Sequence, residues 1–277
     1  MNQLIDIGAN LTHKLLFKRI DLLLEQAKQN RIGHIIVTGT SLKSTGQAIQ
    51  ISRSDPSFLS ATCGIHPHNA NLLTNEIGVK MKEMASDPGV VAIGECGLDY
   101  DRMISSSDDQ RKAFSEQIEW AIQFKKPLFL HCRGDDRCFL DFIAILKKYQ
   151  YPAGVVHCFT GDLDQAVMLT NNGYYIGLTG WISDSRRNHD VLKAITSIPR
   201  DRILLETDSP YLHPLRKKEL NTPAQLIHVA QFLSHLLEWE MEPMIEQIKK
   251  NTTTIFPLLQ VQFHDFKNER SGADVFK

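Results

Sequence analysis

Eight short apolar runs, distributed evenly along the chain, constrain its fold more than any other feature. They are residues 3–8 (QLIDIG), 34–39 (HIIVTG), 61–66 (ATCGIH), 90–95 (VVAIGE), 127–132 (PLFLHC), 153–158 (AGVVHC), 174–180 (YYIGLTG) and 203–208 (ILLETD). Each has the length and β-branched content of a strand. The intervals between them suit one returning helix each, and helical periodicity fills them. Ile20, Leu23, Leu24 and Ala27 form one apolar stripe; Phe139, Ile143 and Leu146 form another. A later stripe, Leu226, Val229, Ala230 and Leu233, is preceded by Thr222 as N-cap and Pro223 in the first turn. Eight strand–helix units predict an α/β fold, a (β/α)8 TIM barrel in a single domain. A doubly wound open sheet accounts less readily for eight similar units. The barrel domain is expected over residues 1–259, and residues 260–277, polar and without a period, read as a tail.

A length of 277 residues suits that barrel, and 42% hydrophobic residues supply its core. The net charge of −1 gives no bulk attraction to polyanions, so an anionic substrate requires a local basic rim. The five cysteines, at 63, 96, 132, 138 and 158, contain no CxxC pair and read as reduced thiols of a cytoplasmic protein. The first residues, MNQLIDIGANL, lack the basic and apolar segments of a signal peptide. No apolar run approaches a membrane span, so no membrane association is expected. Nothing signals an oligomer, and a monomer is the expectation.

The chemistry lies at the strand ends, which in such barrels form the active-site rim. Those ends are Asp6, His66, Glu95, His131, His157 and Asp208. Side chains alternate along a strand, so Glu95, His131 and His157 face inward while Cys96, Cys132 and Cys158 pack toward the helices. Strands four, five and six are neighbours, which lets Glu95, His131 and His157 converge on one divalent metal ion and leave positions for water. Independent, hydrogen-bonded core histidines are the bland alternative. Asp208 faces the ion from across the mouth, placed to deprotonate water, with Glu206 deeper as a supporting partner. The donor set admits magnesium, manganese, zinc or cobalt; Mg2+ is the expected ion, with Mn2+ or Zn2+ as alternatives.

Around the rim, Arg133 is a candidate for bidentate phosphate binding. His66 is a phosphate or water partner, and His68 reads as surface. Trp181 with Arg186 and Arg187 suggests a stacked base and a held backbone, or a capping Trp with solvated charges. Arg216, Lys217 and Lys218 add positive field if their loop faces the mouth. Tyr100 and Tyr211 are further candidates for stacking.

These residues lie in DIGANLT (6–12), GIHPH (64–68), VVAIGECGLDYDR (90–102), PLFLHCR (127–133), GVVHCFTG (154–161), YYIGLTGW (174–181) and LLETDSPYL (204–212). In that order the set resembles the TatD family of metal-dependent deoxyribonucleases, within the amidohydrolase-like barrels. The resemblance implies a (β/α)8 fold and phosphodiester hydrolysis, with 3′–5′ exonuclease action on DNA, and possible action on RNA, as its form. It implies Glu95, His131 and His157 as metal residues and Asp208 as the acid/base group, with Asp208 also a candidate metal ligand and Glu95 also a catalytic candidate. Many relatives begin D-x-H-x-H, whose histidines help hold a second ion; here the positions are Asp6, Gly8 and Asn10. This DIG-x-N form points to the TatD-proper subfamily, with one tight ion, Asp6 serving a weaker second one, and Asn10 toward substrate. The N-E-P of relatives is replaced by Asn221-Thr222-Pro223. The competing readings are an amidohydrolase-type enzyme acting on a small amide, lactone or phosphoester, and a non-catalytic barrel scaffold. There is no GxGxxG or Walker sequence, which excludes a dinucleotide or P-loop protein.

Overall fold

Every apolar run contributes a strand: β1 (Leu4–Ala9), β2 (Ile32–Val37), β3 (Leu59–Cys63), β4 (Val90–Asp99), β5 (Leu128–Arg133), β6 (Gly154–Val156), β7 (Tyr175–Leu178) and β8 (Ile203–Leu205). The computed structural model describes residues 3–151 and 153–259. The polar tail expected from residue 260 lies outside the described residues. Strand order follows the chain from β1 to β8, and all seven consecutive pairs are parallel. A parallel bridge between Ala9 and Ser209 brings β8 back to β1, and the Asp208 N–H donates to the Gly8 carbonyl at 2.8 Å. A doubly wound sheet reverses its strand order part-way; this one does not, and it is a (β/α)8 barrel.

Helices α1 (Lys14–Phe17) and α2 (Ile20–Gln29) follow β1; α3 (Leu42–Ser54), α4 (Asn75–Ala85), α5 (Ser107–Phe124), α6 (Asp136–Tyr149), α7 (Leu163–Asn171) and α8 (His189–Ile195) follow β2 to β7 in turn. After β8 come α9 (Leu226–Leu236) and α10 (Met241–Ile255). Ser41, Thr74, Ser106, Asp135 and Asp162 each cap a helix by accepting a backbone N–H three residues on, which stabilises each start by about 1 kcal/mol. Thr222 does not act this way. Its side chain makes no capping bond, because Pro223–Gln225 forms a 3-10 turn before α9 begins.

Alternation divides the apolar residues into two layers. Ile5, Ile7, Ile36, Phe129, Val155 and Leu204 fill the barrel, and Ile255, Phe256 and Leu259 after the last strand pack with them. Leu128, Leu130, Val156 and Leu205 face outward and pack with Phe114, Ile118, Phe142 and Leu226. Strand β4 departs from regularity. Its register with β5 shifts between Gly94 and Cys96, and the strand then continues to Asp99. Gly97 has φ of +139°, and a Cβ there would lie 1.9 Å from the His131 carbonyl oxygen. Glycine alone permits that approach, which presses the end of β4 against the end of β5.

Candidate metal centre

Phe129 and Val155 point into the barrel, so the residues two further on, His131 and His157, point the same way at the mouth. Glu95 reaches them from the irregular step of β4. Its Oε1 lies 2.7 Å from His157 Nε2, 2.9 Å from His131 Nδ1 and 3.2 Å from His66 Nε2. His131 Nδ1 and His157 Nε2 are 3.4 Å apart. The donor atoms of His66, Glu95 and His131 all fall within 4.8 Å of one another. His66 therefore stands among the possible ligands, although the sequence pattern directs it to phosphate or water. Its Nδ1 accepts the His68 N–H at 3.0 Å as the chain enters a 3-10 turn at Pro67, which aims Nε2 at Glu95.

Two buried carboxylates stand behind the outer sides of these rings. Asp99 Oδ2 is 2.7 Å from His68 Nε2 and 3.4 Å from His131 Nε2, while its Oδ1 accepts the N–H groups of Asp101 and Arg102. Glu206 accepts the Cys158 N–H at 2.5 Å on one oxygen and places the other 3.5 Å from His157 Nδ1. Glu206, expected deeper as a supporting partner, lies behind His157. Asp99 is absent from the sequence-derived set because strand four is expected to end at Glu95. The signal is there nonetheless: Glu95, Gly97 and Asp99 are spaced by two and share one side of the strand. His68, expected at the surface, is tied to Asp99 instead.

The centre is built for positive charge. Burial opposes ionisation of Glu95, yet the facing imidazoles hold its carboxyl well below the usual range. Burial would also push His157 and His131 down. The Glu95 and Glu206 carboxylates instead raise His157 well above its ordinary value, and Asp99 and Glu95 raise His131. His66, with weaker support, is lowered by burial. Several ring nitrogens crowd one carboxylate oxygen; protons on His131 and His157 satisfy that arrangement, and a divalent cation can take their place. Glu95 with His66, His131 and His157 thus fits a divalent ion, each outer ring nitrogen of His131 and His157 being backed by a carboxylate, as metal-ligating histidines are.

Asp208, three residues beyond β8, adopts φ of +51°. Asn10 Nδ2 donates to its Oδ1 at 2.9 Å. Burial pushes its carboxyl up to about 7; His157 opposes that rise, and Glu95 and Glu206 add to it.

The TatD related DNase family matches residues 5–257. The chain belongs to this family. The 3′–5′ ssDNA/RNA exonuclease TatD of Erwinia billingiae (strain Eb661) is 38% identical over 263 residues, covering 92% of this chain and 99% of the relative. The protein of the same name from Edwardsiella piscicida is 36% identical over 262 residues, covering 92% of this chain and all of the relative. Among solved structures, a TatD family hydrolase from Entamoeba histolytica superposes with a TM-score of 0.84 at 27% identity, covering 92% of this chain and 98% of that one. YJJV, a TatD homolog from Escherichia coli K12, gives 0.83 at 27% identity with the same coverage.

Other expected residues of this TatD barrel take different places. Asp6 is not brought into the cluster: Oδ1 accepts the N–H groups of Thr207 and Gly8, and Oδ2 accepts the Thr207 hydroxyl at 2.6 Å. It joins β1 to β8, and burial pushes its carboxyl up to about 7 despite those bonds. Arg133 Nε donates to Asp101 at 3.2 Å, and its guanidinium lies 5.7 Å from the Trp181 ring. Trp181 carries Arg187 over its ring at 3.7 Å, and Asp184 pairs with both Arg186 and Arg187. Tyr100 donates to Asp141 at 2.8 Å and accepts from Arg111 at 2.9 Å. Cys96 and Cys132 pack on the helix side as alternation requires. Cys158 departs from it. With φ of +45° it turns the chain, and its Sγ lies 3.7 Å from Thr179 Oγ1. Asn221 donates to the Thr207 and Tyr211 carbonyls at 2.8 and 2.6 Å, so the asparagine of the altered N-T-P triplet pins the β8 loop.

Proposed function

We propose that this protein is a metal-dependent 3′–5′ exonuclease that hydrolyses phosphodiester bonds of single-stranded DNA and RNA. The observation that carries this reading is the convergence of three imidazole nitrogens on Glu95 Oε1 at the mouth of a TatD barrel; the names of its relatives supply the substrate class. Glu95, His131 and His157, joined by His66, hold the ion, with Mg2+ as the natural candidate and Mn2+ or Zn2+ as alternatives. When bound, such an ion supplies the Lewis acidity that makes water a nucleophile at neutral pH and offsets phosphate charge.

The remaining work falls to the chain. Asp208 uses one oxygen to accept from Asn10 and has the other for the proton of the attacking water; burial, which pushes this carboxyl up, suits it to take up that proton. Asp99 and Glu206 orient His131 and His157 through their outer nitrogens. Arg133, beside the mouth, offers its free guanidinium nitrogens to a phosphate oxygen. Asn10 is a positioning residue for Asp208, and Asp6 serves strand closure. A cytoplasmic enzyme fits the five free cysteines, and among the described residues no helix is long and apolar enough to cross a membrane.

The test is incubation of 5′-labelled single- and double-stranded DNA and RNA with magnesium, manganese or zinc, alongside His131→Ala and Asp208→Asn. Stepwise shortening of single strands that requires a divalent ion is expected. The Asp208→Asn rate should fall by about 10²–10⁴-fold. Equal activity in EDTA, or a fully active Asp208→Asn protein, would overturn the reading.

A further inference from the structure

Of the three aromatic residues suggested for stacking, two are engaged elsewhere. The Tyr100 hydroxyl is shared by Asp141 and Arg111. The Trp181 ring is overlain by the Arg187 guanidinium at 3.7 Å. Tyr211 differs. It is 52% exposed, and its ring meets that of His13 in a T-shaped contact, centroids 5.8 Å apart and planes at 70°. Such a contact occupies at most one face of the phenol, which leaves an open aromatic surface.

That surface is held in place beside the centre. The Tyr211 N–H donates to the Asp208 carbonyl at 3.0 Å, and Asn221 Nδ2 donates to the Tyr211 carbonyl at 2.6 Å. Asn221 is itself fully buried, so the loop that presents the ring is anchored in the core. The hydrogen-bonded turn from Asp208 to Tyr211 therefore sets this exposed ring on the rim beside the centre.

We propose that Tyr211 is the stacking platform for the 3′-terminal nucleobase of a single strand whose last phosphodiester lies over Glu95 and the imidazoles. This inference rests on the exonuclease reading and specifies how that site takes its substrate. Every base has a π-face, so stacking on an aromatic ring tolerates any sequence, as an enzyme that removes successive nucleotides requires. A terminal base within a duplex is already stacked and paired, so a platform of this kind favours single strands.

The experiment compares wild type, Tyr211→Ala and Tyr211→Trp on an oligothymidylate carrying 2-aminopurine at its 3′ end. Quenching of 2-aminopurine fluorescence is read with EDTA-treated protein, which reports stacking without turnover. Wild type and Tyr211→Trp are expected to quench, and Tyr211→Ala to leave the fluorescence of the free strand. With a divalent ion added, Tyr211→Ala should raise KM for the normal oligonucleotide by about 5- to 100-fold. It should also lose the preference of wild type for a base-bearing over an abasic 3′ end. Thermal melting confirms that each variant is folded. Undiminished quenching and unchanged KM in Tyr211→Ala would overturn the platform while leaving the nuclease reading intact. A wild-type protein that degrades no strand with any divalent ion would instead overturn the nuclease reading.

Discussion

An imidazole that binds a metal through one nitrogen depends on what its other nitrogen touches. His131 faces Glu95 through Nδ1 and Asp99 through Nε2. His157 faces Glu95 through Nε2 and Glu206 through Nδ1. The two rings thus present opposite nitrogens to the centre, and each has its own carboxylate behind it. These outer carboxylates fix ring orientation and raise ligand basicity, so their loss weakens metal binding without removing a ligand. Asp99 carries a second burden, since it also holds His68 at 2.7 Å. Asp99→Asn keeps the shape and loses the charge. Its affinity for Mn2+, measured by isothermal titration calorimetry, should fall about 10- to 100-fold. Affinity equal to that of wild type would leave Asp99 with only a structural part.

Strands were legible from composition, but their ends were not, and the ends carry the site. A run such as VVAIG announces a strand because β-branched residues fill a half-buried pleat. Where it stops depends on the partner. Strand β4 continues to Asp99 because Gly94 and Gly97, with φ of +142° and +139°, let it follow β5 closely, and that tertiary fact is absent from local periodicity. Strand β6 ends at Val156, and the turn at Cys158 removes that thiol from the helix side. Glu95, His131, His157 and Asp208 were singled out because each stands at the close of an apolar run. In the structure Glu95 lies within β4, His131 within β5, and His157 and Asp208 past the ends of β6 and β8. The direction of Asp6 was not legible, because β1 shifts register between Asp6 and Ala9. Histidine also has a plain structural use in this fold. His34 of β2 is fully buried with Nε2 2.5 Å from Ser60 Oγ of β3, and burial pushes its pKa from 6.5 down to about 4. The folded state binds its proton more weakly than the unfolded chain. Its contribution to stability is therefore complete above pH 6.5 and declines as pH falls from 6.5 toward 4. Between pH 7.5 and pH 5 the loss is about 2 kcal/mol. His34→Gln should show a smaller drop in urea-unfolding free energy over that interval than wild type. Identical slopes would show that His34 does not titrate on unfolding.

The proposed ligands come from β4, from β5, from the residue after β6 and from the turn after β3, while the segment after β8 supplies Asp208 and Glu206 to the walls. An ion bound there ties together segments distant in sequence, and binding that exists only in the folded barrel stabilises the whole by mass action. At a free ion concentration of 100 times Kd the gain is about 2.7 kcal/mol, which for a chain of this size corresponds to roughly 5–10 °C in Tm. Protons compete for the same nitrogens. Without the ion, Glu95, Glu206 and Asp99 hold His131 and His157 above their ordinary pKa, so the folded protein keeps those protons beyond pH 6.5 and an incoming cation must displace them. Metal affinity therefore rises with pH until both rings are free, and the stabilisation rises with it. Melting the protein with Mn2+ or with EDTA at pH 6 and pH 8 should give a larger difference in Tm at pH 8, and Glu95→Ala should abolish the difference at both. A shift that is larger at pH 6, or one that survives in Glu95→Ala, would place the ion somewhere other than among these imidazoles.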